Sequence, residues 1–148
     1  MGKLSSLING KLIAFDSAPL IYYIEEHPKY LATADELFES LDRGMARGMT
    51  SVLTLQEVLV KPLREAKNDL ADQYIQILSN SRNITLHVID RIVCETAARL
   101  RAKYEWLRTP DALQVATAIK HQAQIIVTND DRWQNLTEIQ VAVLHTLL

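Results

Sequence analysis

Short apolar runs alternate along this chain with longer stretches whose apolar residues recur every three or four positions. Lys11-Leu12-Ile13-Ala14-Phe15 is such a run; it ends at Asp16 and predicts a buried strand. A helix is expected from Ser17 to about Glu26, with Leu20, Ile21, Tyr23 and Ile24 apolar and His27-Pro28 ending it. Thr33-Ala34-Asp35-Glu36 reads as a capping box opening a helix that carries Leu37, Leu41 and Met45 on one face, closed by Gly48. Met49 to Leu53 predicts a second strand, followed by a second capping box, Thr54-Leu55-Gln56-Glu57, before Val58, Leu59 and Val60. Pro62 interrupts, and a polar helix then runs to about Leu78.

Ile84 to Ile89 alternates apolar and polar, as a strand near a sheet edge does. From Asp90 a helix places Val93, Ala97, Leu100 and Tyr104 at helical spacing. Thr109-Pro110 starts another, Thr as N-cap and Pro at the first position, with an apolar stripe of Ala112, Val115, Ala116 and Ile119. Ile125-Ile126-Val127 is a fully apolar strand, and Val141 to Leu144 is expected to be the last. Apolar strands separated by helices imply a parallel sheet covered on both faces. In such sheets ligands bind beyond the carboxyl ends of the strands.

Composition narrows the classes. The length of 148 residues suits one domain, residues 1–148, with one core, and 4 Gly and 4 Pro argue against a flexible linker. No apolar run approaches the ~20 residues that cross a bilayer, and no signal-peptide stretch opens the chain. Met1-Gly2-Lys3-Leu4-Ser5-Ser6 nominally fits a myristoylation pattern but is read as an ordinary N-terminus, and a soluble cytoplasmic protein is the default. The one cysteine, Cys94, forms no intrachain disulfide and is expected to pack beside Val93 and Ala97. The 4 histidines are scattered, so a bound metal would need oxygen ligands. A net charge of −2 excludes nucleic-acid binding by bulk charge and leaves a local basic rim or bound cations.

Candidate chemistry lies at the strand ends. Asp16 follows the first strand, Glu57 the second and Asp130 the Ile125–Val127 strand, while Asp111 lies in the first turn of the Thr109-Pro110 helix. Singly, each has a bland structural explanation: Asp16 as N-cap, Glu57 as partner of Thr54 in its capping box, Asp111 as a complement to a helix dipole, and Asp130 as a turn cap beside Asn129 and Asp131. Jointly they are harder to explain away. Two like charges ~4 Å apart repel by ~4 kcal/mol at an effective dielectric near 20, so clustered carboxylates take up protons or a cation. Oxygen-only ligands suit Mg²⁺ or Mn²⁺, ions that activate water and stabilise charge on a phosphodiester.

The same segments resemble the PIN-domain ribonucleases, particularly the toxin halves of VapBC toxin–antitoxin pairs. Leu12-Ile13-Ala14-Phe15-Asp16-Ser17 is similar to the family's opening strand and first aspartate, and Thr54-Leu55-Gln56-Glu57-Val58-Leu59 to its second motif. Residues 107–118, with Arg108-Thr109-Pro110-Asp111-Ala112, are the most specific match; Val127-Thr128-Asn129-Asp130 resembles the fourth motif. The resemblance runs from about Leu12 to Leu144 and implies a three-layer α/β/α sandwich around a mainly parallel sheet of four or five strands. It implies metal-dependent endonucleolytic cleavage of RNA leaving a 5′-phosphate. Asp16, Asp111 and Asp130 would coordinate Mg²⁺ or Mn²⁺, Glu57 would complete the site directly or through water, and Thr128 would position a ligand or the attacking water. The family register favours Asp130 over Asp131. A cognate antitoxin protein and a homodimer are the implied partners.

Around these motifs, Lys61, Arg64 and Lys67, and Arg99, Arg101, Lys103 and Arg108, could meet phosphates, although each taken alone reads first as part of an ordinary solvated face; Arg108, nearest the site, is the best single candidate. Trp106 and Trp133 could stack on bases, although packing is the commoner role and is favoured for Trp133. Rival readings are a PIN nuclease with a housekeeping or DNA-directed role, and a catalytically silent PIN-fold binding module, which would lack carboxylates this chain retains. A phosphohydrolase with its first aspartate as nucleophile would need a second aspartate where Ala18 stands.

Overall fold

The computed structural model describes Gly2 to Leu148; Met1, and with it the start of the nominal myristoylation pattern, lies outside the described residues. Five strands form one all-parallel sheet: β1 (Leu12–Phe15), β2 (Arg47–Ser51), β3 (Ile84–His87), β4 (Ile125–Thr128) and β5 (Gln140–Val143), in the order β3-β2-β1-β4-β5. β1 and β4 are central, buried on both faces, and carry unbroken apolar sequence for that reason. β3 is the edge strand its alternation predicts.

Successive side chains of each strand face opposite layers. Ile13, Phe15, Ile125 and Val127 meet one layer, made by α1 (Lys3–Ile8), α2 (Ser17–Ile24), α3 (Leu31–Asp42), α4 (Val52–Arg64) and α5 (Asn68–Asn80). Ala14, Met49 and Ile126 meet the other, made by α6 (Arg91–Lys103), α7 (Thr109–Lys120) and Trp133 in a 3₁₀ turn over Asp131–Asn135. The α/β/α sandwich is thus complete, with two apolar cores separated by the sheet. Among the described residues no helix is long and apolar enough to cross a membrane.

Several boundaries differ from the sequence reading. α1 was not predicted: six residues are too short for a periodic signal, and Leu4 and Ile8 are apolar because the α1 face is buried. α3 opens at Leu31, so Thr33 is a buried residue of its first turn, and Glu36 bonds Ser5 instead of capping its own helix. The helix ends at Asp42, leaving Met45 exposed beyond it. Gly48 is inside β2, not a helix stop; a Cβ there would lie 2.9 Å from a Leu41 methyl, so its small size lets α3 pack on the strand. β2 begins and ends two residues earlier than Met49–Leu53, because Val52 and Leu53 already belong to α4.

Ser51, not Thr54, caps α4, and Pro62 does not interrupt it: it sits in the last turn, where few intrahelical bonds follow. Ala66, at φ 56, makes the break before α5. Asp90 caps α6 as its position suggests, but Tyr104 lies just past the helix and Cys94 is exposed, facing away from the Val93 and Ala97 core. Arg108 is the N-cap of α7, which puts Thr109 and Pro110 in its first two positions and Asp111 in the third; no N–H is lost at either, since both are unpaired in any helix.

Candidate active site

The order β3-β2-β1-β4-β5 reverses direction between β1 and β4, and a cleft opens beyond their carboxyl ends, as the physics of parallel sheets requires. Asp16 is fixed there by its own backbone: its N–H donates to the Val127 carbonyl at 3.0 Å, extending the β1–β4 pairing by one residue. Its side chain caps α2, accepting from the Ser17 N–H at 2.7 Å, so the bland expectation for Asp16 holds in addition to any chemistry. The other carboxylate oxygen accepts from Thr128 Oγ1 at 3.1 Å. Thr128, fully buried at the end of β4, also accepts the Asp130 N–H at 3.2 Å and so sets the turn that follows.

Glu57 reaches the same place from the second turn of α4. Its Oε1 accepts from Ser17 Oγ at 2.7 Å and from Gln114 Nε2 at 3.4 Å. The capping-box role expected with Thr54 is overturned. Thr54 is buried inside the helix and shares its hydroxyl with Thr50 and with Gln114 Nε2, at 2.8 and 2.7 Å. Gln114 is the organising residue that the sequence reading missed. Nearly fully buried one turn after Asp111, it also accepts from Ser51 Oγ at 2.9 Å and ties α7 to the start of α4. A glutamine at an otherwise apolar helix position, three residues after the acid, was the available signal.

The four acids share one electrostatic neighbourhood. Burial pushes the Asp16 carboxyl up to about 6; the Ser17 and Thr128 hydrogen bonds oppose this, and the charges of Asp111 and Glu57 add to it. Asp111 is also raised, chiefly by burial; Arg108 opposes, while Asp130 and Glu57 reinforce the shift. Asp130 goes the other way, held down by hydrogen bonding from Arg132. That contact is bidentate, Nε at 3.1 Å and a terminal nitrogen at 2.7 Å, and Asp130 also caps the 3₁₀ turn through the Arg132 N–H at 3.0 Å. Asp131, on the same cleft lining, pairs with His145, whereas Asp130 acts electrostatically on Asp111. Arg132 was not anticipated from sequence.

The cleft, of about 530 Å³, is lined by Asp16, Ala18, Tyr22, Thr128, Asn129, Asp130, Asp131 and Arg132. Tyr22 accepts from Asn129 Nδ2 at 3.1 Å, which fixes its wall. Trp106 lies under the Arg132 guanidinium, 5.8 Å from ring centroid to Cζ, while Trp133 is fully buried as packing predicts. Among the described residues, no three His, Cys, Asp or Glu side chains are arranged to hold a metal ion as they stand. The donors nevertheless suit a hard divalent cation: they are all oxygens, Asp16 and Asp111 are carboxyls that resist ionising, and a cation would relieve both. Among the described residues, Asp130 is the one of the four acids in an ion pair, with Arg132, while Arg108 acts on Asp111 without pairing with it.

An acidic pocket at the switch point of a parallel α/β sheet defines a class that includes many phosphate-handling proteins. The sequence profile of the PIN domain matches residues 13–139, and the chain belongs to that family. No curated protein matches the sequence. Solved structures share the fold. VapBC2 from Rickettsia felis, bound to a promoter DNA fragment, superposes with a TM-score of 0.71 at 16% identity, covering 89% of this chain and 98% of that one. A toxin–antitoxin complex from Klebsiella pneumoniae gives 0.68 at 22%, covering 88% and 96%. Mycobacterium tuberculosis VapC20, described as a sarcin-ricin loop cleaving toxin, gives 0.67 at 18%, covering 86% and 98%.

Proposed function

We propose that this protein is a divalent-metal-dependent endoribonuclease and the toxin of a toxin–antitoxin pair. The observation that carries the reading is the partly buried Asp16 carboxylate, held by Ser17 and Thr128 and electrostatically coupled to Asp111 and Glu57 at the sheet's switch point. Asp16, Asp111 and Asp130 would hold Mg²⁺ or Mn²⁺, with Glu57 completing the set. When bound, such an ion supplies an activated water and charge stabilisation at the phosphodiester. Ser17 keeps Glu57 directed at Asp16, and Thr128 keeps both Asp16 and the Asp130 turn in place. Arg108 lies close enough to Asp111 to oppose its protonation and is suited to meet a phosphate at the rim.

PIN-family membership and the toxin–antitoxin context of the structural neighbours support an RNA-directed role with an antitoxin protein as partner. Val60 and Leu63, exposed apolar residues one turn apart on α4, offer surface for a second copy or for that partner. The test is cleavage of a single-stranded RNA with Mn²⁺, with Mg²⁺ and with EDTA, comparing wild type with Asp111→Asn. Metal-dependent cleavage that the variant loses is expected. Equal cleavage by the two proteins would remove the mechanism.

A further inference from the structure

Arg132 is in an unusual position for a residue on an acidic cleft. Its guanidinium grips Asp130 with two nitrogens, at 3.1 and 2.7 Å, and lies against the Trp106 ring; its side chain remains about half exposed. It therefore occupies the carboxylate that the other three acids would need to complete an oxygen shell. The same planar fork that fits a carboxylate fits a phosphate. Arg132 also acts electrostatically on Asp111, which places its charge towards the acids and not only on its neighbour.

We propose that Arg132 is a positioning residue with two partners in turn: it restrains Asp130 in the free protein and, when a divalent cation takes Asp130, binds a phosphate of the nucleic-acid backbone at the cleft mouth. This rests on the reading of the acids as a cation site. Trp106 makes the exchange economical in motion. A guanidinium already seated on an aromatic face keeps one contact while it changes the other. No backbone change is needed, because Asp130 retains its bond from the Arg132 N–H at 3.0 Å and its own N–H remains on Thr128.

The two halves predict opposite signs for one substitution. Mn²⁺ affinity, measured by calorimetry on the full chain, should rise roughly three- to fivefold in Arg132→Gln, the effect of removing a half-exposed competing ion pair. RNA cleavage at saturating Mn²⁺ should fall about tenfold in kcat/KM, mostly through KM, as expected for a lost backbone contact. Arg132→Lys, which keeps the charge but loses the fork, should fall between the two in both measurements. Thermal melts of the half-exposed variants check that they fold. Unchanged or weaker Mn²⁺ binding by Arg132→Gln would overturn the proposal, and tighter binding with undiminished cleavage would overturn its phosphate half. Absence of Mn²⁺ binding in wild type and variants alike would bring down the cation-site reading itself, and this inference with it.

Discussion

Ser17 Oγ donates to Glu57 Oε1 at 2.7 Å, across forty residues of sequence, while the Ser17 N–H donates to Asp16. One serine thus ties together acids from the β1 and α4 segments. Removing only the hydroxyl separates its two jobs, since Ser17→Ala keeps the N–H bond to Asp16. The variant should fold normally and lose about tenfold in kcat, the usual scale for a residue that orients a metal-site carboxylate. Steady-state RNA cleavage beside a thermal melt checks it. An unchanged kcat would mean that Glu57 needs no such orientation.

The Asp16 carboxyl has an ordinary value of 3.8 and is pushed up to about 6 by burial. Between those values the folded protein holds a proton that the unfolded chain has released, so protonation favours the fold. Metal-free stability should therefore fall as pH rises from about 4 to 6 and level off above. Asp16→Asn should flatten that part of the curve and melt a few degrees above wild type at pH 7.5 in EDTA. Saturating Mn²⁺ should erase the advantage by neutralising the wild-type carboxylate. Denaturation curves across this range in EDTA and in Mn²⁺ measure both effects; a wild type that gains metal-free stability from pH 4 to 6 would reverse the assignment.

Gln114 is nearly fully buried and bonded to Ser51, Thr54 and Glu57. Gln114→Leu keeps volume but strands polar partners in the interior, a loss of about 2 kcal/mol. The measurement is urea unfolding of the metal-free protein. A midpoint equal to wild type would show that the network contributes nothing net.

How much of this was legible in the sequence depended on how local its cause is. β1 and β4 were readable because strands buried on both faces must be apolar throughout, and the rule that sites lie beyond their carboxyl ends located Asp16 and Asp130. Asp111 was readable because Pro110 marks a helix start wherever the helix lies. The two capping boxes misled: α3 opens at Leu31 and leaves Thr33 buried inside it, and Thr54 is held by Gln114, sixty residues on, which no local pattern encodes. α1 is too short to carry a periodic signal, and β2 was misplaced because Val52 and Leu53 already belong to α4. Arg132 is a middle case: its spacing of two from Asp130 is local, but its grip on that acid depends on the 3₁₀ turn that follows β4.

If carboxylates from separate segments hold one divalent cation, Mn²⁺ can be located there directly. Crystals grown with Mn²⁺ and measured at its absorption edge should give an anomalous peak about 2 Å from oxygens of both Asp16 and Asp111. An anomalous map with no peak between those two side chains at saturating Mn²⁺ would contradict the account.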